Sequence, residues 1–172
     1  MQKFLKTPIQ KDDLCSLTIG EMVIISGYIY TGRDAVLPKI VTLIEEGRLH
    51  EYGINLEGAV IFHTAVSPAG VGPTSSNKYE IESSIPILSK AGVKLHLGKG
   101  ALSKETITAL AEQNSVYAVI PPVTALLNSK TLSHKIIAYP ELCMEAFHII
   151  EVIDYPAIIA AAHGKSIYDE QK

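Results

Sequence analysis

The stretch Ser67-Pro-Ala-Gly-Val-Gly-Pro-Thr-Ser-Ser-Asn-Lys78 decides how the rest of the chain is interpreted. It follows an apolar run at residues 58–63, which predicts a buried strand, and it precedes residues 79–90, which predict a helix. A strand, a glycine-rich turn and hydroxyls at a helix start can bind an anion, because backbone N–H groups point outward there. The same hydroxyls, at residues 74–76, can instead serve only as helix caps, and spacing alone favours capping.

Length and composition bound the possible functions. The chain has 172 residues, enough for a substantial core, and we expect a single domain over residues 1–172. A formal net charge of −3 argues against a nucleic-acid partner, which would require a basic surface. Charged residues make up 19% of the chain, below the roughly 25% of average soluble proteins, which suits burial of some surface against another subunit.

The cysteines and the N-terminus bear on the cellular compartment. Cys15 and Cys143 have no spacing typical of a metal site, so we expect reduced, core-type thiols and no metal bound by this chain. Residues 1–6 are too short and mixed for a signal peptide, and no apolar run is long enough to span a membrane. These features predict a cytoplasmic protein without a membrane partner.

Alternating apolar runs and amphipathic segments along the chain predict an α/β domain with a largely parallel sheet. The closing runs are expected to add an antiparallel portion. Pro86 is expected to kink or split its helix, and Ser103 to cap the next one. Predicted strands cover residues 4–9, 22–30, 58–63, 93–97, 116–120, 136–139, 147–152 and 157–161, and the main predicted helices follow Asp34, Lys78 and Ser103.

Three loops each follow a predicted strand and precede a predicted helix, at residues 31–34, 72–76 and 98–100. Loops at the carboxyl ends of strands in an α/β sheet gather into one crevice. We therefore expect cations and hydroxyls of these loops around a common volume, where they suit a small ligand with more than one carboxylate. The candidate binding residues are Arg33, Thr74, Ser75, Lys78 and Lys99.

A less specific interpretation of these cations stays open. Arg33 can pair with Asp34 or another acid, and Lys78 and Lys99 can be solvated surface residues. The six histidines show no metal-ligand spacing, and His63 and His96, on predicted strands, suit core or edge positions. No dinucleotide fingerprint and no nucleophile elbow are present, which leaves a self-contained hydrolase with little support.

Five short motifs, in order along nearly the whole chain, carry a family resemblance. The chain resembles the β subunit, equivalent to the C-terminal domain, of the class I iron–sulfur fumarate hydratase and L-tartrate dehydratase family. The motifs are Ser26-Gly-Tyr-Ile-Tyr-Thr-Gly-Arg-Asp34, Gly72-Pro-Thr-Ser75, Gly98-Lys-Gly100, Glu141-Leu-Cys-Met-Glu-Ala146 and Gly164-Lys-Ser-Ile-Tyr168.

The resemblance implies a three-layer, swivelling β/β/α domain that works with a separate α subunit in a hetero-oligomer, with a homodimer as an option for the isolated chain. It implies that the α subunit carries a [4Fe-4S] cluster on its own cysteines. It also implies a reversible hydration or dehydration of a small dicarboxylate, in which fumarate gains water to give malate or tartrate loses water to give oxaloacetate.

The resemblance also assigns roles to the candidate residues. It implies that Thr74 takes the proton from carbon and that Arg33 and Lys99 hold substrate carboxylates. Ser75 would hydrogen-bond the substrate, and Lys78 stands where a substrate-binding arginine is usual.

Four departures from the family pattern favour an alternative function. Leu37 stands where a histidine is usual, Pro121-Pro122 replaces a glycine pair, and Ala161 stands where an aspartate is usual. Lys78 keeps the charge of the usual arginine but lacks its bidentate fork. The alternative is a catalytically degenerate member that binds a small carboxylate or scaffolds a partner subunit.

Overall fold

The structure is a computed structural model that describes residues 2–67, 70–74, 78–120 and 124–171. At positions 70, 72–74, 78–81, 124 and 170–171 it describes the backbone alone. The strands are β1 (Gln2–Lys6), β2 (Met22–Thr31), β3 (Val60–Phe62), β4 (Thr64–Ser67), β5 (Gly70–Thr74), β6 (Leu95–Gly98), β7 (Val116–Val119), β8 (Thr131–Ala138), β9 (Phe147–Ala162) and β10 (Lys165–Ser166). The helices are α1 (Lys11–Cys15), α2 (Leu37–Glu45), α3 (Lys78–Lys90), α4 (Lys104–Glu112) and α5 (Thr124–Ser129), with 3-10 helices at Leu49–Tyr52, Pro140–Glu145 and Ile167–Gln171.

The main sheet has a parallel part and an antiparallel part. Strands β1, β2, β3, β6 and β7 pair in parallel, in that order. The long strand β9 runs antiparallel to β2 along one edge and to β8 and β7 along the other. Because β9 joins β2 to β7, the pairing from β2 through β3, β6 and β7 closes on itself. The predicted α/β class, with an added antiparallel portion, is confirmed.

The predicted break in the last strand pair is wrong. Residues 147–152 and 157–161 belong to the single strand β9, which runs through Asp154-Tyr-Pro156. At that point β2 shifts register between Ile25 and Gly27, and the Asp154 N–H donates to Ser26 Oγ at 3.0 Å. A side-chain hydroxyl thus replaces the ladder bond that the irregularity removes, and Tyr155 packs its buried ring edge-on against Phe62.

The glycine-rich stretch differs from the predicted turn. Residues 70–74 form β5, which pairs antiparallel with β4 in a small second sheet. The strand β4 begins two residues after β3 ends, so this small sheet extends from the carboxyl end of β3. The sequence pattern did not predict β5, because the strand contains glycine and proline, and both are depleted in strands.

Buried aliphatic side chains form the core on both faces of the main sheet. One face, including Ile25, Phe62 and Leu97, packs inside the closed strand pairing. The other face, including Ile61, packs under α2 through Leu37. The Ser103 hydroxyl accepts the Thr106 N–H at 3.3 Å, which confirms the predicted cap of α4.

Two further outcomes concern α3 and the cysteines. The helix α3 runs continuously from Lys78 to Lys90 with Pro86 inside it, so the proline does not split it. Cys15 and Cys143 are both exposed, so the expectation of core-type thiols is wrong. None of the described helices combines the length and apolar content needed to cross a membrane.

Candidate functional site

The candidate site lies at the carboxyl edge of three neighbouring parallel strands. Thr31 of β2, Phe62 of β3 and Leu97 of β6 stand in one row across the sheet. Arg33 lies two residues after Thr31 in the chain, and Lys99 lies two residues after Leu97. With β3 between their strands, the two backbones leave the sheet roughly 10 Å apart, which is two strand spacings.

Thr74 is carried to the same edge by the small sheet. Its backbone pairs with Thr64, which lies two residues beyond Phe62 in the chain. Lys78 is the first residue of α3, and for both Thr74 and Lys78 the structure describes the backbone alone. Ser75 lies outside the described residues. The backbones of Arg33, Thr74 and Lys99 thus share one edge of the molecule.

Arg33 is paired with an acid that sequence analysis did not single out. Its Nε donates to Oε2 of Glu145 at 3.1 Å, and its Nη2 donates to Oε1 of the same carboxylate. The two side chains are 24% and 27% exposed, so the pair is only partly screened by water. Of the alternatives left open by the sequence, pairing with an acid other than Asp34 is therefore present in this structure.

Close packing fixes the backbone that carries Arg33. A Cβ on Gly32 would lie 2.8 Å from Val36 Cγ1 and 3.2 Å from Phe147 Cδ1, so a side chain there would force buried neighbours to move. The Arg33 carbonyl accepts the Leu37 N–H at 2.9 Å and so begins the first turn of α2. The turn therefore holds Arg33 at a defined position on the edge.

Lys99 contrasts with Arg33. Its side chain is exposed, and within the described part of the chain it has no ion pair and no side-chain hydrogen bond. Glu145 compensates the charge of Arg33, whereas the charge of Lys99 faces solvent without such compensation among these residues. An anion approaching this edge therefore meets a cation at Lys99.

Two buried histidines lie next to the site. Nε2 of His63, the residue after β3, is 3.1 Å from Nδ1 of His96, and Nε2 of His96 is 2.9 Å from Ser89 Oγ on α3. Nδ1 of His63 has no partner among the described residues. Burial lowers the pKa of His63 to about 3, and burial together with the charge of His63 lowers the pKa of His96. Both rings are therefore neutral at physiological pH, and the expected core position of these histidines is confirmed.

The buried histidines predict acid sensitivity of the fold. Well above pH 6.5, the ordinary histidine value, both states of the chain carry neutral rings, so the burial of these two histidines costs no stability through their protonation. As the pH falls from 6.5 towards 3, the unfolded chain takes up protons that the folded chain excludes, and the free energy of unfolding falls. At pH 5 His63 alone accounts for about 2 kcal/mol of this loss, which urea unfolding at several pH values would measure.

Two variants separate this effect from general acid denaturation. His63→Gln removes one buried titrating group, so its stability should depend on pH less steeply than that of the wild type between pH 6.5 and 5. His50→Gln changes an exposed histidine and should leave the dependence unchanged. Equal slopes for wild type and His63→Gln would show that His63 takes up protons equally in the folded and unfolded chain, which would contradict a pKa lowered by burial.

Two of the family departures lie in the core. Leu37, the first residue of α2, is fully buried, and Ala161 is buried where β9 pairs with Tyr117 of β7. A charged side chain at either position would lose its hydration, with no partner among the described residues to replace it. Leu37 and Ala161 therefore suit the apolar surroundings of their side chains. The third departure, Pro121-Pro122, lies outside the described residues.

The donor set of this chain does not fit an iron–sulfur cluster. Such clusters are held by several cysteine thiolates, whereas this chain has Cys15 on α1 and Cys143 in the 3-10 helix Pro140–Glu145. Within the described residues, no group of three or more histidine, cysteine or acidic side chains is placed to hold a metal ion.

Comparison with known proteins identifies the family of the chain. The family model for the fumarase C-terminus matches residues 2–171. The L(+)-tartrate dehydratase subunit beta of Escherichia coli (strain K12) is 27% identical over 185 residues, covering 100% of this chain and 89% of that protein. A protein of Geobacillus stearothermophilus, provisionally named a class I fumarate hydratase, is 30% identical over 123 residues, covering 66% of this chain and 22% of that protein.

The chain belongs to the fumarase C-terminus family, which places it among the hydro-lyases. A protein of Methanocaldococcus jannaschii, provisionally named an L(+)-tartrate dehydratase subunit beta, is 28% identical over 177 residues, covering 94% of this chain and 89% of that protein. Two of these relatives are thus named as β subunits, which implies a partner subunit. The chain spans only about a fifth of the length of the fumarate hydratase relative.

Proposed function

We propose that this chain is the β subunit of a two-subunit hydro-lyase that hydrates and dehydrates a small dicarboxylate, fumarate to malate or tartrate to oxaloacetate. The observation that carries the proposal is the position of Arg33 and Lys99 at one edge of the sheet, two residues beyond the same row of strand residues. Long cationic side chains that start from backbones two strand spacings apart can each reach one acidic end of a four-carbon dicarboxylate.

In this proposal the candidate residues divide into carboxylate holders and a base. Arg33 and Lys99 hold the two carboxylates, Ser75 hydrogen-bonds the substrate, and Lys78 adds positive charge at the start of α3. In the dehydration direction Thr74 accepts the proton from the carbon next to the hydroxyl-bearing carbon. The C–H electron pair forms the double bond as the hydroxyl group leaves.

A threonine hydroxyl needs help for this task. It is a very weak base, so its own proton must pass to a neighbouring acceptor as it takes the proton from carbon. We assign that acceptor to an acidic group of the α subunit, because the carboxylate that the structure describes beside Arg33, Glu145, is engaged with the guanidinium.

The partner also supplies what this chain lacks. A [4Fe-4S] cluster on the α subunit would act as a Lewis acid toward the substrate hydroxyl, and the two separated, exposed cysteines here support its placement on that subunit. The active site would then lie between the two subunits, closed on this side by the edge that carries Arg33 and Lys99.

The alternative is a catalytically degenerate member that binds a small carboxylate or scaffolds its partner. The burial of Leu37 and Ala161 in apolar surroundings favours it, since both stand where the family usually has polar side chains. It predicts that a cluster-loaded complex binds dicarboxylates without turning them over.

Activity of the complex tests both functions. The chain would be co-expressed with its α-type subunit, purified without oxygen, and assayed with fumarate, malate and tartrate. We expect turnover of one of these by the complex and none by either subunit alone. A cluster-loaded complex that converts no hydroxy-dicarboxylate would refute the hydro-lyase proposal and favour the degenerate member.

A further inference from the structure

The contact between Arg33 and Glu145 uses one side of the guanidinium. Glu145 accepts from Nε and from Nη2, so its carboxylate lies along the side that these two nitrogens share. A guanidinium has five N–H donors in one plane. The end formed by Nη1 and Nη2 therefore keeps donors that point away from Glu145, and among the described residues Nη1 has no acceptor.

Both members of this pair stand on fixed backbone. Arg33 follows the tightly packed Gly32 and begins α2. Glu145 ends the 3-10 helix Pro140–Glu145 and precedes the buried Ala146 and Phe147. Phe147 stacks on Tyr30 of β2 with ring centroids 5.1 Å apart, so the segment that carries Glu145 is attached to the strand that leads to Arg33.

Such a pair can act in two opposite ways. As a placeholder, Glu145 would occupy the donors that a ligand carboxylate needs, and the ligand would have to displace it. As an orienting group, it would hold the guanidinium plane while the free end grips the ligand. The side-on contact favours the second, because the Nη1–Nη2 end can still bind a carboxylate by two parallel hydrogen bonds.

We propose that Glu145 is a positioning residue that fixes the guanidinium plane of Arg33 and presents its Nη1–Nη2 end to one carboxylate of the bound dicarboxylate. The inference rests on the proposed function, because it assumes that Arg33 binds the substrate. Glu145 does not touch the ligand and takes no proton. Its effect is to hold a flexible side chain in its binding orientation before the ligand arrives.

Succinate is a suitable probe, because it has two carboxylates but no double bond and no hydroxyl, and so cannot turn over. Calorimetry on the complex of both subunits would measure its dissociation constant. We expect Glu145→Ala to weaken succinate binding about tenfold and to raise KM more than it lowers kcat. Glu145→Gln, which keeps one carbonyl acceptor, should weaken binding less.

A double-mutant comparison distinguishes orientation of Arg33 from a general structural role. In an Arg33→Ala background, Glu145→Ala should have no further effect on succinate binding, since there is no guanidinium left to orient. Glu21→Ala is the matched control. It breaks the ion pair with Lys3, which spans 3.1 Å with side chains 28% and 20% exposed, and should leave binding unchanged.

The possible results are distinct. Tighter binding in Glu145→Ala or Glu145→Gln would identify a placeholder and overturn the positioning role, as would unchanged binding in a folded Glu145→Ala variant. If Glu145→Ala does not fold, Glu145→Gln carries the test by the same criteria. Failure of the wild-type complex to bind succinate would instead overturn the proposed function, together with the role given to Glu145.

Discussion

Thr74→Ala, introduced into the complex with the α-type subunit, is expected to lower kcat by about 10²- to 10⁴-fold, the usual contribution of a positioned general base. Affinity for a dicarboxylate should stay within a few-fold of the wild type, because the carboxylate holders Arg33 and Lys99 are untouched. Steady-state kinetics with the preferred substrate, together with succinate binding, would measure the two effects separately.

Two further substitutions make this test specific for the hydroxyl. Thr74→Ser keeps a hydroxyl and should retain much of the activity, whereas Thr74→Val keeps the shape without the hydroxyl and should behave like the alanine variant. Turnover by Thr74→Ala at a rate near that of the wild type would remove Thr74 from the chemistry, although the site could still bind dicarboxylates.

Arg33→Ala is expected to weaken dicarboxylate binding by about 10- to 150-fold, because hydrogen bonds to charged groups contribute about 1.5–3 kcal/mol. The fold should survive, since the Arg33 side chain is partly exposed and its partner Glu145 can turn to water. Arg33→Lys keeps the charge but loses the fork, and should fall between wild type and alanine. Isothermal titration of the complex with succinate would measure all three.

Arg48→Ala provides the matched control for Arg33. Arg48 also pairs with carboxylates, Glu46 and Glu51, but it follows the end of α2 and not the carboxyl edge of the sheet. Its replacement should not change succinate binding. Unchanged binding in a folded Arg33→Ala variant would give Arg33 a purely structural role, as the partner of Glu145.

Local patterns predicted most of the elements, and a general rule of α/β sheets predicted where the loops meet. The order of parallel strands β2, β3 and β6 brings residues 33 and 99 to one edge, as expected for consecutive strand–helix units. The prediction of a break at Asp154-Tyr-Pro156 was wrong. The Ser26 hydroxyl of the neighbouring strand β2 accepts the Asp154 N–H in place of a backbone carbonyl, and the strand continues. No local pattern contains that information.

The contacts around the site were beyond sequence analysis for a similar reason. Arg33 and Glu145 are 112 residues apart, and nothing in either motif indicates that they pair. His63 and His96 meet only because β3 and β6 adopt a particular register, Ile61 opposite His96. Glu145 belongs to one of the five motifs that carry the family resemblance. Its pairing with Arg33 is seen only in the structure.

The central claim is that this chain binds both carboxylates of a dicarboxylate, while a second subunit supplies the remaining catalytic groups. A crystal structure of the two-subunit complex with succinate tests it most directly. We expect one carboxylate about 2.7–2.9 Å from Nη1 and Nη2 of Arg33, with Glu145 still on the opposite side of the guanidinium, and the other carboxylate beside Lys99. Succinate bound in the complex without a hydrogen bond to either Arg33 or Lys99 would contradict the claim.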